Sequence, residues 1–386
     1  MKKLTVFFIV ILIMSFTAGC FGANNEIEKL GIVVAMGIDI TPDSKYSVSL
    51  QILKAQKKPS SGGMGRRKGG KQEIPTDVDF FTVSGDTIYD ALGHLSTELG
   101  KKLHLAHIDF VVISEKAAKS GVASIIDAGL RSHQLRDNTP ILVTKDKAAK
   151  IIYATTPEDP NPASAIKNIL DLQSRYGYSP IVSYLDFSNS LSSKTVSPVA
   201  GVINLDADGV LKVAGTAVFN KDKLIGYMDE KETRGMQWLK GRVKDASIVI
   251  RSPDKGKITL RVTNASSKIK PILSNHKPVM QVTIKTEGYI RDMEGSLDPM
   301  KEPDIIKKLD EIESEAIKQE IDQALYTAQK KFKADIFEFG EIIHREYPEE
   351  WKSMEPNWNE IFPDLAIEIT VDSHIRRPGM ISKPLY

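Results

Sequence analysis

Cysteine occurs once in the 386 residues, at position 20. A single thiol closes no internal disulfide, and in an exported chain it asks for another use. An excess of either charge is missing too: 52 Lys and Arg stand against 50 Asp and Glu. Removing residues 1–19 takes away Lys2 and Lys3 and leaves the two signs equal. Nucleic-acid binders show a basic excess on one face, so no nucleic-acid partner is expected. Beyond residue 16 no apolar run approaches the roughly 20 residues that a spanning helix needs. Membrane work then falls to a lipid or to partners.

What is present begins at the first residues. Lys2 and Lys3 precede an apolar run over residues 4–16 (LTVFFIVILIMSF), the two leading parts of a secretory signal. Thr17, Ala18 and Gly19 are small enough for a peptidase to bind them extended, and the Cys20 thiolate is a nucleophile that can take a diacylglyceryl group. The stretch resembles a bacterial lipobox, with Thr17 where Leu is usual. A signal peptide over 1–19, cleavage after Gly19 and lipidation at Cys20 are expected; an ordinary secretory signal ending in a chance cysteine is the alternative. Stable anchoring takes two acyl chains, and a thioether-linked diacylglyceryl group supplies both. The mature chain is then held on the outer face of a membrane.

Residues 46–52 alternate apolar and polar, as a half-buried strand does, and 30–38 predict a more buried strand. Residues 56–75 (QKKPSSGGMGRRKGGKQEIP) read as a flexible basic loop. Next come a helix over 87–99 capped by Ser84 or Asp86, a strand over 108–113, a helix over 115–130, a strand over 141–144 and a helix over 163–176. The Ser-rich stretch 179–198 reads as a crossing segment. Strands follow over 213–219, 246–250, 258–263 and 279–284. A long helix capped by Asp304 carries an apolar stripe through Ile305, Leu309, Ile312, Ala316, Ile317, Ile321, Ala324, Ala328 and Phe332. A further helix from Asp335 and a strand over 365–371 complete the pattern. Strands followed by helices predict an α+β, multi-domain chain with mixed or antiparallel sheets, helices packed on one face and the long helix in the C-terminal domain. The division is a 20–200 N-terminal α/β region, of one or two subdomains, and a 201–386 C-terminal α+β domain.

Three patterns invite chemistry. Gly65 to Lys71 fits G-x-x-x-x-G-K, but Gln72 replaces the hydroxyl residue and Pro75 opposes a following helix, so a nucleotide site is not expected. His104, His107 and Asp109 are metal-ligand types. On a strand 104 and 107 face opposite ways, so a packed or hydrogen-bonded histidine is the default. Glu311, Glu313 and Glu315 are interleaved with lysines, as on a solvated helix face. No catalytic residue, metal or cofactor is expected.

Several segments resemble the Ger(x)C lipoproteins of nutrient germinant receptors in endospore-forming bacteria. They are residues 26–39 (EIEKLGIVVAMGID), 85–91 (GDTIYDA), 107–115 (HIDFVVISE), 215–219 (GTAVF), 223–226 (KLIG), 232–241 (ETRGMQWLKG) and 335–340 (DIFEFG), with Trp351, Trp358 and 375–379 (IRRPG) near the end. The resemblance implies three mixed α/β domains and the lipoprotein subunit of a receptor whose A- and B-type partners are integral membrane proteins. It also implies the spore inner membrane and a part in germination, with no established catalytic site. Arg234 and Trp238, four apart and on one face of a helix, are candidate partner contacts, as are Arg376 and Arg377; the alternative for Trp238 is the core. Two other classes stay open: a solute-binding lipoprotein that hands a nutrient to a transporter, and an envelope enzyme.

Overall fold

The computed structural model describes residues 29–54, 76–155, 159–274, 277–294 and 303–377. Gly19, Cys20 and the stretch 56–75 with its Gly65 to Lys71 pattern lie outside them.

The first sheet runs β3 (Val78–Gly85), β2 (Tyr46–Leu53), β1 (Leu30–Ile40), β5 (Phe110–Ser114), β6 (Ile141–Thr144), β7 (Val199–Leu205), β8 (Leu211–Asn220), β9 (Lys223–Met228), and β4 (Lys102–His104) pairs with the start of β1. Its centre, β1-β5-β6-β7, is parallel and its flanks are antiparallel. Parallel strands are covered on both faces and read as unbroken apolar runs; FVVIS in β5 and ILVT in β6 are buried throughout. Helices α1 (Ile88–Leu99), α2 (Glu115–Ser120), α3 (Ala123–Leu130) and α6 (Tyr184–Ser192) pack on the face of Met36, Ile38, Val111 and Ile113. Helices α4 (Ala148–Ile152) and α5 (Pro162–Arg175) pack on the face of Val34, Phe110 and Val112.

Local chemistry sets several boundaries. Thr87, rather than Ser84 or Asp86, caps α1, accepting the Asp90 N–H. The helix expected over 115–130 is two helices, because Gly121 between them has φ +124°. The expected crossing segment holds α6, started by a capping box in which Ser183 and Asp186 satisfy each other's backbone N–H groups. The expected 200/201 division falls inside β7, and β7, β8 and β9 all pair into the first sheet.

The second sheet runs β10 (Ala246–Arg251), β11 (Lys257–Ser274), β12 (Lys277–Met293), β13 (Ala366–Arg377), with only the last pair parallel. Here the alternation is plain: Met280, Val282 and Ile284 are buried, while Gln281 and Lys285 are exposed. Helices α7 (Glu230–Leu239) and α8 (Pro303–Tyr326) cover the apolar face. The helical period expected through Phe332 holds only to Tyr326; Thr327–Phe332 is a π-helical turn, closed by Lys333 at φ +52°. Short helices α9 (Phe339–Glu346), α10 (Pro348–Met354) and α11 (Trp358–Ile361) return the chain to β13.

Candidate functional site

The segment ETRGMQWLKG forms most of α7, and every residue from Thr233 to Leu239 is buried. A capping box between Asp229 and Glu232 starts the helix. Thr233 shares a 2.9 Å hydroxyl hydrogen bond with Thr216 of β8 in the first sheet. At the other end the Ser267 hydroxyl of β11, in the second sheet, donates to the Leu239 carbonyl at 2.6 Å. This helix therefore ties the two sheets together.

Its third partner is α8. Glu320 accepts Arg234 Nε–H at 2.8 Å and Trp238 Nε1–H at 3.0 Å on one oxygen, and pairs with Arg234 Nη2 through the other. Arg234 Nη1 also donates to Tyr178 Oη and to the Ser247 carbonyl of β10, both at 3.3 Å. The guanidinium lies 5.4 Å from the centre of the Tyr178 ring. Such closeness of helices needs Gly235, where a Cβ would stand 2.0 Å from the Glu320 carbonyl oxygen. Arg234 and Trp238 do share one helix face, as their spacing predicts, but that face lies inside the fold: Arg234 is 9% exposed and Trp238 1%. Arg376, by contrast, is exposed near the end of β13, paired with Glu287. Arg377 ends that strand.

A second buried carboxylate organises the DIFEFG segment. Asp335 does not start a helix. One of its oxygens accepts the N–H groups of Phe337 (3.1 Å) and Phe339 (3.2 Å), and the other those of Gly340 (2.9 Å) and Trp358 Nε1 (3.1 Å). Its backbone carbonyl takes the Ser197 N–H at 2.9 Å, fastening the segment before β7. Burial pushes its pKa up to about 6, against the lowering effect of those four donors. Helix α9 starts only at Phe339, after Glu338 turns the backbone at φ +66°.

In the N-terminal region, Asp39 of β1 accepts the N–H groups of Ala148 and Ala149, both at 3.0 Å, and so caps α4 from a neighbouring strand. Gln51 of β2 donates to the carbonyl of Ile152 at the far end of that helix, at 2.7 Å. The GID and HIDF segments thus serve packing, Asp109 pairing with Lys167 at 3.1 Å. The rings of His104 and His107 do approach, at 5.6 Å, because β4 ends at His104 and strand alternation stops there. No group of three or more His, Cys, Asp or Glu suited to a metal occurs among the described residues.

Glu313 corrects the expectation of a solvated acidic face. It lies between Leu309 and Ile317 on the buried side of α8, is 1% exposed, and neither of its carboxylate oxygens has a hydrogen-bond partner among the described residues. Burial, helped by nearby Asp310, pushes its pKa up to about 7. Glu320, which sequence reasoning missed, had the same signal: it sits on the apolar stripe between Ile317 and Ala324.

The chain belongs to the Ger(x)C family of spore germination proteins. Residues 23–205 match the family's "Spore germination protein N-terminal domain", and residues 214–379 match "Spore germination B3/ GerAC like, C-terminal". The chain is 29% identical to spore germination protein KC of Bacillus subtilis (strain 168), over 95% of this chain and 94% of that protein. It is 22% identical to spore germination protein B3 of the same strain, over 99% of this chain and all of that one. The crystal structure of the GerBC protein superposes with a TM-score of 0.55, covering 88% of this chain and 96% of that one at 19% identity, which supports the α+β fold described above.

Proposed function

We propose that this chain is a lipid-anchored, non-catalytic subunit of a membrane nutrient germinant receptor, needed in spore germination for assembly or stability of the complex. The observation that carries the reading is the family match along nearly the whole length, downstream of Ala18-Gly19-Cys20. Among the described residues no helix is long and apolar enough to cross a membrane. Attachment is assigned to a diacylglyceryl group on Cys20 after cleavage at Gly19, on the outer face of the cell membrane and, in dormant spores, at the inner membrane.

The partners are A- and B-type integral membrane subunits. Confinement to one bilayer raises their effective concentration, so a modest docking surface suffices. Arg376 and Arg377, at the end of β13, are the candidate contacts for them. Arg234 and Trp238 act instead inside the chain, by holding α7, α8 and both sheets in one arrangement. The division into a 20–200 and a 201–386 unit cuts across the first sheet, because β7, β8 and β9 pair into it, and α7 ties that sheet to the second.

The test is a pull-down of the chain, tagged at Tyr386, from detergent-solubilised spore membranes. Recovery of two integral membrane proteins supports the receptor reading; recovery of the chain alone overturns it and favours solute delivery to a transporter. Cys20→Ala is expected to move the chain to the soluble fraction and to weaken germination. Unchanged membrane retention would sink the anchoring claim.

A further inference from the structure

The start of β1 marks one end of the molecule. Leu30 pairs with Lys102, and Ile32 with His104. The Leu105 N–H donates to Gln134 Oε1 at 2.9 Å, which brings the segment after α3 to the same place. Helices α1 and α3 both finish here, at Gly100 and Arg131. Strands β5 and β6 run parallel to β1 and open toward this end.

This end carries cations that the fold does not use. Lys102 and Arg136 are exposed and Lys101 is half-buried; none of the three forms an ion pair among the described residues. His107 and His133 are exposed and close in sequence to these segments; the carboxylates Glu98, Asp137 and Asp109 are close in sequence too, the last paired with Lys167. Cys20 is joined to Lys29 through residues 21–28, a link that spans at most about 30 Å when fully extended. An acyl group on Cys20 therefore keeps this end, above all others, within reach of the bilayer. The Thr41–Lys45 turn lies at the far end of β1, about 33 Å away at the rise of a strand.

We propose that this end of the molecule docks on an anionic lipid surface, Lys101, Lys102 and Arg136 meeting the phosphate headgroups. The proposal rests on lipid attachment at Cys20. Surface cations near anionic lipid attract it weakly one by one, and within only a Debye length. The tether supplies the proximity, and the charges supply the orientation.

The test uses the full lipid-bearing chain, purified from membranes and reconstituted in vesicles of phosphatidylcholine with and without phosphatidylglycerol. A fluorophore is placed at His133→Cys, which leaves Lys101, Lys102 and Arg136 in place, or, as the distal control, at Asp43→Cys, and quenching by headgroup-attached quencher is read after flotation. Strong quenching at position 133 and little at 43, on phosphatidylglycerol vesicles, supports the proposal. That difference should shrink on pure phosphatidylcholine and at ~1 M salt, where the Debye length is about 3 Å. Should the chain float but quench equally at both positions, the docking proposal is overturned while anchoring stands. Failure to float overturns the anchoring reading, and the proposal with it. A preference for position 133 that ignores both lipid charge and salt overturns the role of the three cations.

Discussion

Arg234 of α7 and Glu320 of α8 form a two-armed ion pair inside the fold, with Nε 2.8 Å from Oε2 and the second arm closed through Nη2. Removing one partner strands the other charge away from water, which typically costs 3–5 kcal/mol, whereas removing both together is far milder. Glu320→Ala is therefore expected to lose roughly that much stability in urea denaturation. Arg234→Met in the same chain should recover a large part of it. A loss no greater than about 1 kcal/mol for the single variant, the value of a surface pair, would show that the contact is solvated.

The same contact depends on a missing side chain. A Cβ at Gly235 would meet the Glu320 carbonyl oxygen at 2.0 Å and Ala324 Cβ at 3.0 Å. Gly235→Ala must push α7 from α8, with an overpacking cost of about 1–3 kcal/mol. Since Trp238 Nε1 bonds Glu320, the shift should also be read as a red shift and broadening of tryptophan emission. An unmoved spectrum and midpoint would mean that the helices have slack.

Glu313 gives stability a pH slope of definite sign. In the fold its carboxyl is pushed up from 4.5 to about 7 by burial and by Asp310. Between those values the folded state binds more protons than the unfolded state, so stability falls as pH rises. The penalty is complete above about pH 7 and on the order of 3 kcal/mol. Glu313→Gln should flatten this part of the slope and melt above the parent chain at about pH 8, while differing little near pH 5. Melting temperatures across that range decide the matter, and a parallel pair of curves would mean that Glu313 finds a partner in solution.

These buried carboxylates mark where the amino-acid pattern stops being legible. Strands β1 and β2 and the stripe of α8 follow from periodicity, because a side chain's face depends only on its neighbours in sequence. The roles of Glu313 and Glu320 do not, since acids among lysines look solvated until the helix is laid on its sheet. Asp335 looks like a helix cap for a related reason: it does hold backbone amides, but those of Phe337, Phe339 and Gly340, so the helix begins later. The motif residues Arg234 and Trp238 have a helical spacing that gives their shared face but not what covers it. Helix α6 was hidden by its serines, although Ser183 and Asp186 already stood three apart.

Asp335 and Glu313 are both buried acids with raised pKa values, yet their amide substitutions should act in opposite directions. Each oxygen of Asp335 accepts two donors, so an asparagine, however it is turned, aims an NH₂ group at two N–H groups. Two hydrogen bonds are lost and donors are left facing one another, at a cost of about 2–4 kcal/mol. Glu313 accepts none among the described residues, so glutamine removes a charge and breaks no bond found there. Chemical denaturation at about pH 8 should place Asp335→Asn below the parent and Glu313→Gln above it. If both variants moved the same way, burial rather than hydrogen bonding would set what these carboxylates contribute, and the assignment of Asp335 as the organiser of the segment before α9 would be lost.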